Sequence, residues 1–272
     1  MTTTASSVTR TQVPAAAAGH YRLPHAARME WIKLRGLRST WWTLALAVAG
    51  AAGIGVAVGL NSKTAATDVT NNILAGVSVG LLLTGVLGVL TMTSEYSSGM
   101  IRATLAAIPR RRLVVAAKAA VLGATTLALG EVASFIAFFA GDAALRHGIA
   151  APTLDQPAVL RAVLLAGAGY CLIGLIGLGL GAIIRHSGAA IGVLVGGVYV
   201  VSQFVAMAAK PLMPYLPISI VANSLTTTKP YSCGGQGGCP HFLSAWAGLG
   251  VLGLYAAVLL AVGAVMLAKR DA

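Results

Sequence analysis

Six long runs of apolar residues constrain the fold of this chain more than any other feature of its sequence. Five of them contain no charged residue, and the sixth, Leu113–Ala140, contains only Lys118 and Glu131. The other five runs are Trp41–Leu60, Ile73–Thr93, Ala162–Ile184, Ser187–Ala209 and Phe242–Ala268. Each run reaches the roughly 20 residues that a helix needs to cross a bilayer. Because hydrocarbon offers the backbone no other hydrogen-bond partner, six transmembrane helices are predicted.

The composition of the chain indicates an all-α polytopic membrane protein. Hydrophobic residues make up 57% of the sequence and charged residues only 10%, which is too few to cover the surface of a soluble domain. The net charge of +12 raises the question of nucleic-acid binding. Basic residues interleaved with aromatics on a soluble face are not found, and the charge clusters beside the apolar runs. We therefore expect a lipid bilayer, and no nucleic acid, as the partner of these charges.

The distribution of basic residues predicts how the spans are oriented. If the N-terminus is cytoplasmic, 14 of the 19 Lys and Arg residues fall on the cytoplasmic side, as the positive-inside rule requires. Both termini are therefore expected in the cytoplasm, with the protein in the plasma membrane. Residues 1–23 are predicted to form a disordered cytoplasmic tail and residues 24–272 one six-span domain. The first span follows an already basic segment, so it is expected to be retained as an anchor and not cleaved.

A short amphipathic helix is predicted immediately before the first span, in HAARMEWIKLRGLRSTWW. Arg28, Trp31, Arg35 and Arg38 recur at helical spacing and form one stripe. The residues roughly opposite are Met29, Ile32, Gly36 and Leu37, with Glu30 and Lys33 interrupting them. Such a helix is expected to lie along the inner leaflet. The alternative is a basic flank that only sets the orientation of the first span.

The loop between the second and third spans, TSEYSSGMIRATLAAIPRRR, is unusually polar for this chain. If the helix continued past the second span, it would place Glu95, Ser98 and Arg102 on one face. The apolar residues Ile101, Leu105 and Ile108 would line another face, Gly99 would interrupt the helix and Pro109 would end it. Arg110, Arg111 and Arg112 begin the third span, where they are expected to attract anionic headgroups.

This loop resembles a motif of the permease subunits of ABC exporters of the type-2 superfamily. In those permeases an acidic-aromatic pair is followed by a glycine, an Ile-Arg-x-Thr-Leu run and a Pro-Arg-rich close before a lysine. The matching residues are Glu95, Tyr96, Gly99, Ile101, Arg102, Thr104, Leu105, Pro109, Arg110 and Lys118. The segment MEWIKLRGLRSTWW resembles the amphipathic helix that precedes the first span in the same family.

The resemblance implies that the loop is a coupling helix, which docks into a separate ATPase subunit and passes its closure to the spans. The implied coupling residues are Glu95, Tyr96, Gly99, Arg102, Thr104, Leu105 and Pro109. Exposed basic and hydroxyl groups would face the ATPase, while Ile101, Leu105 and Ile108 would seat the helix on the membrane domain. The resemblance also implies that the chain pairs with a second copy or with a sister permease.

No nucleotide-binding motif is found in the chain itself. A P-loop requires a Gly-Lys pair, and none of the lysines follows a glycine. We therefore expect ATP to be bound by the partner subunit, with no catalytic residue, metal or cofactor in this chain.

Two other function classes remain open from the sequence. A membrane-embedded enzyme needs several ionisable groups at one depth, and only Glu131 lies well inside a span. A passive channel or scaffold would not need a coupling helix, and its loop arginines would only follow the positive-inside rule. The cargo is also open, because drugs, lipids, peptides and natural products all suit an apolar pathway.

The third span contains two ionisable residues, Glu131 and Lys118, and a different environment is predicted for each. An unpaired charge on Glu131 would cost several kcal/mol at the membrane centre, so the side chain is expected to make a structural hydrogen bond or to contact substrate. Lys118 lies nearer the cytoplasmic end of the span. Its ammonium group is expected to extend towards the interface.

The last outside loop is predicted to contain a short helix and a disulfide, and the glycine spacing predicts helix contacts inside the spans. By resemblance, Pro217–Leu225 is expected to form a short re-entrant helix. Cys233 and Cys239 lie on the oxidising side and are predicted to form a disulfide, with zinc and His241 as the alternative. Glycines four residues apart are predicted to let spans touch. These pairs are Gly76/Gly80, Gly55/Gly59, Gly177/Gly181, Gly188/Gly192 and Gly192/Gly196.

Overall fold

The computed structural model describes residues 22–62, 68–108, 110–146, 149–227 and 241–269. In these residues all regular secondary structure is helical, and six segments are long and apolar enough to cross a membrane. The chain is therefore a multi-pass α-helical membrane protein. The six spans are Arg38–Asn61, Val69–Ser97, Arg111–Ala143, Pro157–Ile184, Ser187–Ala208 and Ala245–Lys269.

Eleven α-helices occur in this part of the chain. They are α1 (Leu23–Gly36), α2 (Arg38–Asn61), α3 (Val69–Ile73), α4 (Val77–Ser97), α5 (Met100–Ala107), α6 (Arg111–Ala143), α7 (Pro157–Ile184), α8 (Ser187–Val193), α9 (Ser202–Ala208), α10 (Pro217–Ser224) and α11 (Ala245–Lys269). A 3₁₀ turn, Leu74–Gly76, joins α3 and α4 into the second span. A π-helical stretch, Leu194–Val201, joins α8 and α9 into the fifth.

All six predicted spans are present, and their ends differ from the predictions by only a few residues. The helix predicted before the first span is α1, but it ends at Gly36, and the extended Leu37 separates it from α2. Arg38 therefore belongs to α2 and not to the stripe of α1. The predicted tail, residues 1–23, lies outside the described residues except for its last two, and α1 begins at Leu23.

Glycines bring the spans into backbone contact around α7, which is the most buried of the six. Gly177 lies against the carbonyl oxygen of Gly85 in α4, and a Cβ at Gly181 would lie 2.9 Å from the Val89 oxygen. A Cβ at Gly59 of α2 would lie 2.6 Å from the Gly141 oxygen of α6. The packing role predicted for these glycines is confirmed, since no larger side chain fits at such contacts.

The glycine pairs of the fifth span behave differently. A Cβ at Gly192 or Gly196 would meet nothing within 4 Å. Their predicted role in helix contact is therefore not fulfilled within the described residues, because this face of the fifth span points away from the bundle.

The two ends of the bundle differ in charge. At the end that we call the basic end lie α1, α5, the start of α6 and the last turn of α11. Its described cationic residues outside the bundle interior are Arg22, Arg28, Arg35, Arg38, Arg102, Arg110, Arg111, Arg112, Arg185 and Lys269. The opposite end contains Asp68 and α10, and there Asp68 accepts hydrogen bonds from the backbone and hydroxyl of Thr227.

Candidate functional site

Four charged side chains from three helices meet inside the basic end and form a buried charge network. Glu30 and Lys33 come from α1, Glu95 from the last turn of α4, and Lys118 from the second turn of α6. Glu30, Glu95 and Lys118 are only 3–4% exposed. Groups of this kind are almost never buried unless they are paired, so the pairing must account for their position.

Each lysine of the charge network contacts both glutamates. Lys118 Nζ lies 2.6 Å from Glu30 Oε2 and 2.8 Å from Glu95 Oε1. Lys33 Nζ lies 3.0 Å from Glu30 Oε1 and 2.8 Å from Glu95 Oε1. The four contacts form a closed ring with no net formal charge. Such a ring is strong only while it is complete, because removing one member leaves another charge buried without its partner.

A fifth side chain links the charge network to α5. Lys33 Nζ donates a hydrogen bond of 3.0 Å to Thr104 Oγ1, and Thr104 is buried. The Lys33 ammonium thus uses its three donors on Glu30, Glu95 and Thr104. Through this one ammonium group α5 is connected to α1 and α4, and through the two glutamates to α6.

The protonation of Lys33 is stabilised by its surroundings. Burial by itself lowers the pKa of Lys33, but the hydrogen bonds and negative charges of Glu95 and Glu30 outweigh burial and hold the pKa above its ordinary value. A raised folded-state pKa contributes stability that is fully present below the ordinary value and is lost as pH rises through the folded value. Lys33 therefore stays protonated at neutral pH, and it keeps its contacts with both glutamates of the charge network there.

The helix pattern around α5 explains why the loop folds back on the bundle. Gly99 has φ 70°, a left-handed conformation that favours glycine, and it separates α4 from α5. The chain turns there, so Glu95 and Arg102 are not on one continuous helix face. Ile101 and Ile108 are 3% and 2% exposed and seat α5 on the bundle, as expected.

The residues implied to couple to an ATPase divide into two groups in the structure. Arg102 is exposed, whereas Glu95 and Thr104 are buried in the charge network and cannot present their side chains to a partner. Leu105 and Tyr96 are half-buried, and the Tyr96 ring lies 5.1 Å from the guanidinium carbon of Arg185. Pro109 lies outside the described residues.

The position of the Lys118 side chain differs from its prediction. Its ammonium group does not extend to the interface but is held by two carboxylates, and the residue as a whole is only 4% exposed. The sequence pattern of α1 predicts no role for Glu30 and Lys33, which only interrupt its apolar side. Two oppositely charged residues on the side of α1 that should be apolar were the available signal, since a buried charge requires a partner. Ile32, assigned to that apolar side, is instead 62% exposed.

The predicted membrane-interface residues lie on the surface of the basic end, with one exception. Arg28, Trp31, Arg35, Arg38, Arg110 and Arg112 are exposed. Arg111 is half-buried and donates a 3.0 Å hydrogen bond to the Leu267 carbonyl oxygen, while Arg185 donates one of 3.3 Å to Met266. These two arginines cap the last turn of α11, where a cation is favoured by the helix dipole.

Glu131 is remote from the charge network. Its carboxylate packs against Gly167 of α7, and its Oε2 has no hydrogen-bond partner among the described residues. One of the two roles expected of Glu131 was a structural hydrogen bond, and none is formed with the described residues.

The predicted disulfide of Cys233 and Cys239, like its zinc alternative, falls outside the described part of the chain. A helix is present at Pro217–Ser224, within one residue of the predicted segment.

Comparison with known proteins adds no relative. No protein-family model matches the chain, and no curated protein sequence matches it. The family resemblance of the loop between the second and third spans therefore rests on the residues of this sequence.

Proposed function

We propose that the chain is the membrane-spanning permease subunit of an ABC exporter of the type-2 superfamily. In this proposal α5 is the coupling helix, α1 is an interfacial helix, α10 is re-entrant, and the charge network transmits force from a separate ATPase subunit to the spans. Two things support it: the motif in the loop, and the single ammonium group of Lys33, which joins α5 to α1 and α4.

The surface of α5 has the composition of a docking face. Its buried side carries Ile101 and Thr104, and its free side exposes Arg102 together with Met100, which is 44% exposed. The other exposed residues of the helix are alanines, at positions 103, 106 and 107. Small side chains allow a partner backbone to approach closely, and Arg102 offers a planar donor for a carboxylate.

The charge network gives a push on α5 a route into the membrane domain. A displacement of α5 changes the contact between Thr104 and Lys33, and Lys33 is bound to both glutamates of the ring. The ring in turn holds α4 and α6, which belong to the second and third spans. Buried ion pairs have discrete arrangements, so a small displacement favours exchange of partners over gradual stretching.

The proposal also includes the orientation of the chain, its assembly with a second permease and its cargo. The basic end faces the cytoplasm by the positive-inside rule, where ATP is available, and both termini lie there in a plasma-membrane protein. The open glycines Gly192 and Gly196 suit contact with a second permease, either another copy or a sister chain. The expected activity is export, and the cargo is a drug, a lipid, a peptide or a natural product.

The test is ATP hydrolysis by the purified complex in proteoliposomes. The chain is to be co-purified with a candidate P-loop ATPase subunit, and hydrolysis compared with that of the ATPase alone. Arg102→Ala is expected to lower the stimulated hydrolysis several-fold by weakening docking, and Glu95→Gln to lower it while docking is retained. Arg112→Ala is the matched control, since Arg112 is an exposed arginine that lies outside α5.

Three outcomes would contradict the proposal. Unchanged stimulation by both variants would remove the coupling role of α5 and the charge network. Solute movement by the purified chain without any ATPase would favour a passive channel, and turnover of a substrate without ATP would favour an enzyme.

A further inference from the structure

A groove of about 710 Å³ opens on the outer surface of the bundle between α1, α2 and α6. Along its α6 side run Ala120, Ala124, Ala128 and Val132, which recur every four residues and face outward. Three of these four residues are alanines, so their small side chains leave a channel between the neighbouring helices. The small side chains of α6 therefore account for the depth of the groove among the described residues.

The length of the groove matches one leaflet of a bilayer. The thirteen residues of α6 from Ala120 to Val132 span about 18 Å of helix, since twelve rises of 1.5 Å separate the first from the last. Half of a bilayer's hydrocarbon core measures about 15 Å. Ala120 lies in the third turn of α6, so the groove begins near the basic end and reaches towards the middle of the membrane.

The interior of the groove offers almost no free polar group. The Thr125 hydroxyl donates to the Val121 carbonyl oxygen at 2.7 Å, so its methyl group remains for apolar contact. The Trp41 indole N–H donates to the Arg35 carbonyl oxygen at 3.1 Å. Trp31 and Trp41 are 42% and 51% exposed at the basic end of the groove, the depth at which tryptophans accumulate in membranes.

Arg28 lies at the basic end of the groove and has no counter-charge within the part of the chain that the structure describes. Arg28 is exposed beside Trp31, and no carboxylate in the described residues forms an ion pair with it. The acid nearest in sequence, Glu30, is turned to the other side of α1 and held by Lys118 and Lys33. The charge network thus pairs Glu30 and Glu95, the described acids of this end, and leaves Arg28 to attract an anion.

We propose that this groove binds one anionic phospholipid from the leaflet at the basic end, with an acyl chain along the alanine face of α6 and the phosphate at Arg28. A zwitterionic lipid fills the same apolar channel but brings a cationic headgroup next to Arg28. The occupied groove would hold α1 against α2 and α6 from the side opposite to the charge network. This inference does not depend on the proposed transport function.

Tryptophan quenching by brominated lipids tests the proposal directly. The background variant is Trp42→Phe with Trp246→Phe, two exposed positions, so that fluorescence comes from Trp31 and Trp41. The full chain is reconstituted in phosphatidylcholine vesicles that contain rising fractions of brominated phosphatidylglycerol or brominated phosphatidylcholine. Phosphatidylglycerol is expected to quench with about fivefold higher relative affinity, the factor typical of one basic residue near an anionic surface.

Three further variants separate the headgroup from the chain. Arg28→Gln is expected to reduce the preference to about onefold. Ala128→Phe, at an exposed position, is expected to reduce quenching by both lipids because the ring occupies the channel. Arg22→Gln removes an equal charge at the start of α1 and outside the groove, so it is expected to keep the preference.

Equal quenching by the two lipids in the background variant would overturn the inference. So would a preference that persists in Arg28→Gln, or quenching that Ala128→Phe leaves unchanged. If Ala128→Phe does not fold, as judged by size-exclusion chromatography, Ala124→Leu replaces it in the same channel, and the Arg28→Gln result stands independently.

Discussion

Lys118 Nζ lies 2.6 Å from Glu30 Oε2, although 88 residues separate the two along the chain. Both side chains are about 4% exposed, so this contact is one of the most thoroughly buried ion pairs at the basic end. It binds α1, the helix before the first span, to α6 of the third span. The same ring includes Glu95 of the second span, which makes α1 an integrated part of the bundle.

Replacing Lys118 with methionine is expected to destabilise the protein by about 3–5 kcal/mol. Methionine approximates the apolar stem of lysine but lacks the ammonium group, so it leaves two buried carboxylates facing each other beside Lys33 alone. Thermal unfolding in detergent, followed by circular dichroism, measures the effect. The triple variant with Glu30→Gln and Glu95→Gln is expected to recover much of the loss, and failure to recover would mean that Lys118 acts through packing and not through charge.

Thr104→Val is expected to separate coupling from stability. The change removes one hydrogen bond from Lys33, which costs about 1 kcal/mol, and keeps the shape of a buried side chain. If the chain is a permease, stimulated ATP hydrolysis should fall several-fold while the melting temperature changes little. The matched control is Thr125→Val, whose hydroxyl bonds only to its own helix. Equal hydrolysis in the two variants would exclude α5 as the route of force.

Gly177→Val is expected to destabilise the bundle by at least about 1–3 kcal/mol, since an added side chain must displace the α4 backbone at Gly85. Gly253→Val in α11 is the control, because a Cβ at Gly253 meets nothing within 4 Å. Both are glycines inside spans, so the difference between their melting temperatures isolates the helix contact. Similar losses in the two variants would show that the effect is one of helix propensity.

Asp68→Ala is expected to release the contact between the start of the second span and the segment after α10. Asp68 accepts from the Asn71 backbone at 3.1 Å, where it caps α3, and from the Thr227 hydroxyl at 2.8 Å. Losing about 1.4 kcal/mol there corresponds to a tenfold faster amide exchange. Hydrogen exchange of the peptide containing Thr227 measures this, with the exposed Asp155→Ala as control.

The spans were predictable because membrane insertion depends on a local property. About 20 consecutive apolar residues satisfy the requirement wherever they occur, and all six predicted runs are long apolar helices in the structure. Glycine spacing was less informative. It predicted contact equally for Gly177 and for Gly192, and only the arrangement of neighbouring helices distinguishes the packed glycine from the open one.

The sequence by itself determined how many helices cross the membrane, which end of the bundle is basic and where the polar loop lies, because each follows from residues adjacent in the chain. Tertiary structure alone decided that Glu30, Lys33, Glu95 and Lys118 form one buried ring. The charges that interrupt the apolar side of α1 are visible in the sequence, but no local pattern identifies their partners, since the members of the ring come from three helices. The physical reason is that a buried charge is tolerated only where an opposite charge meets it, and that meeting depends on how the helices pack.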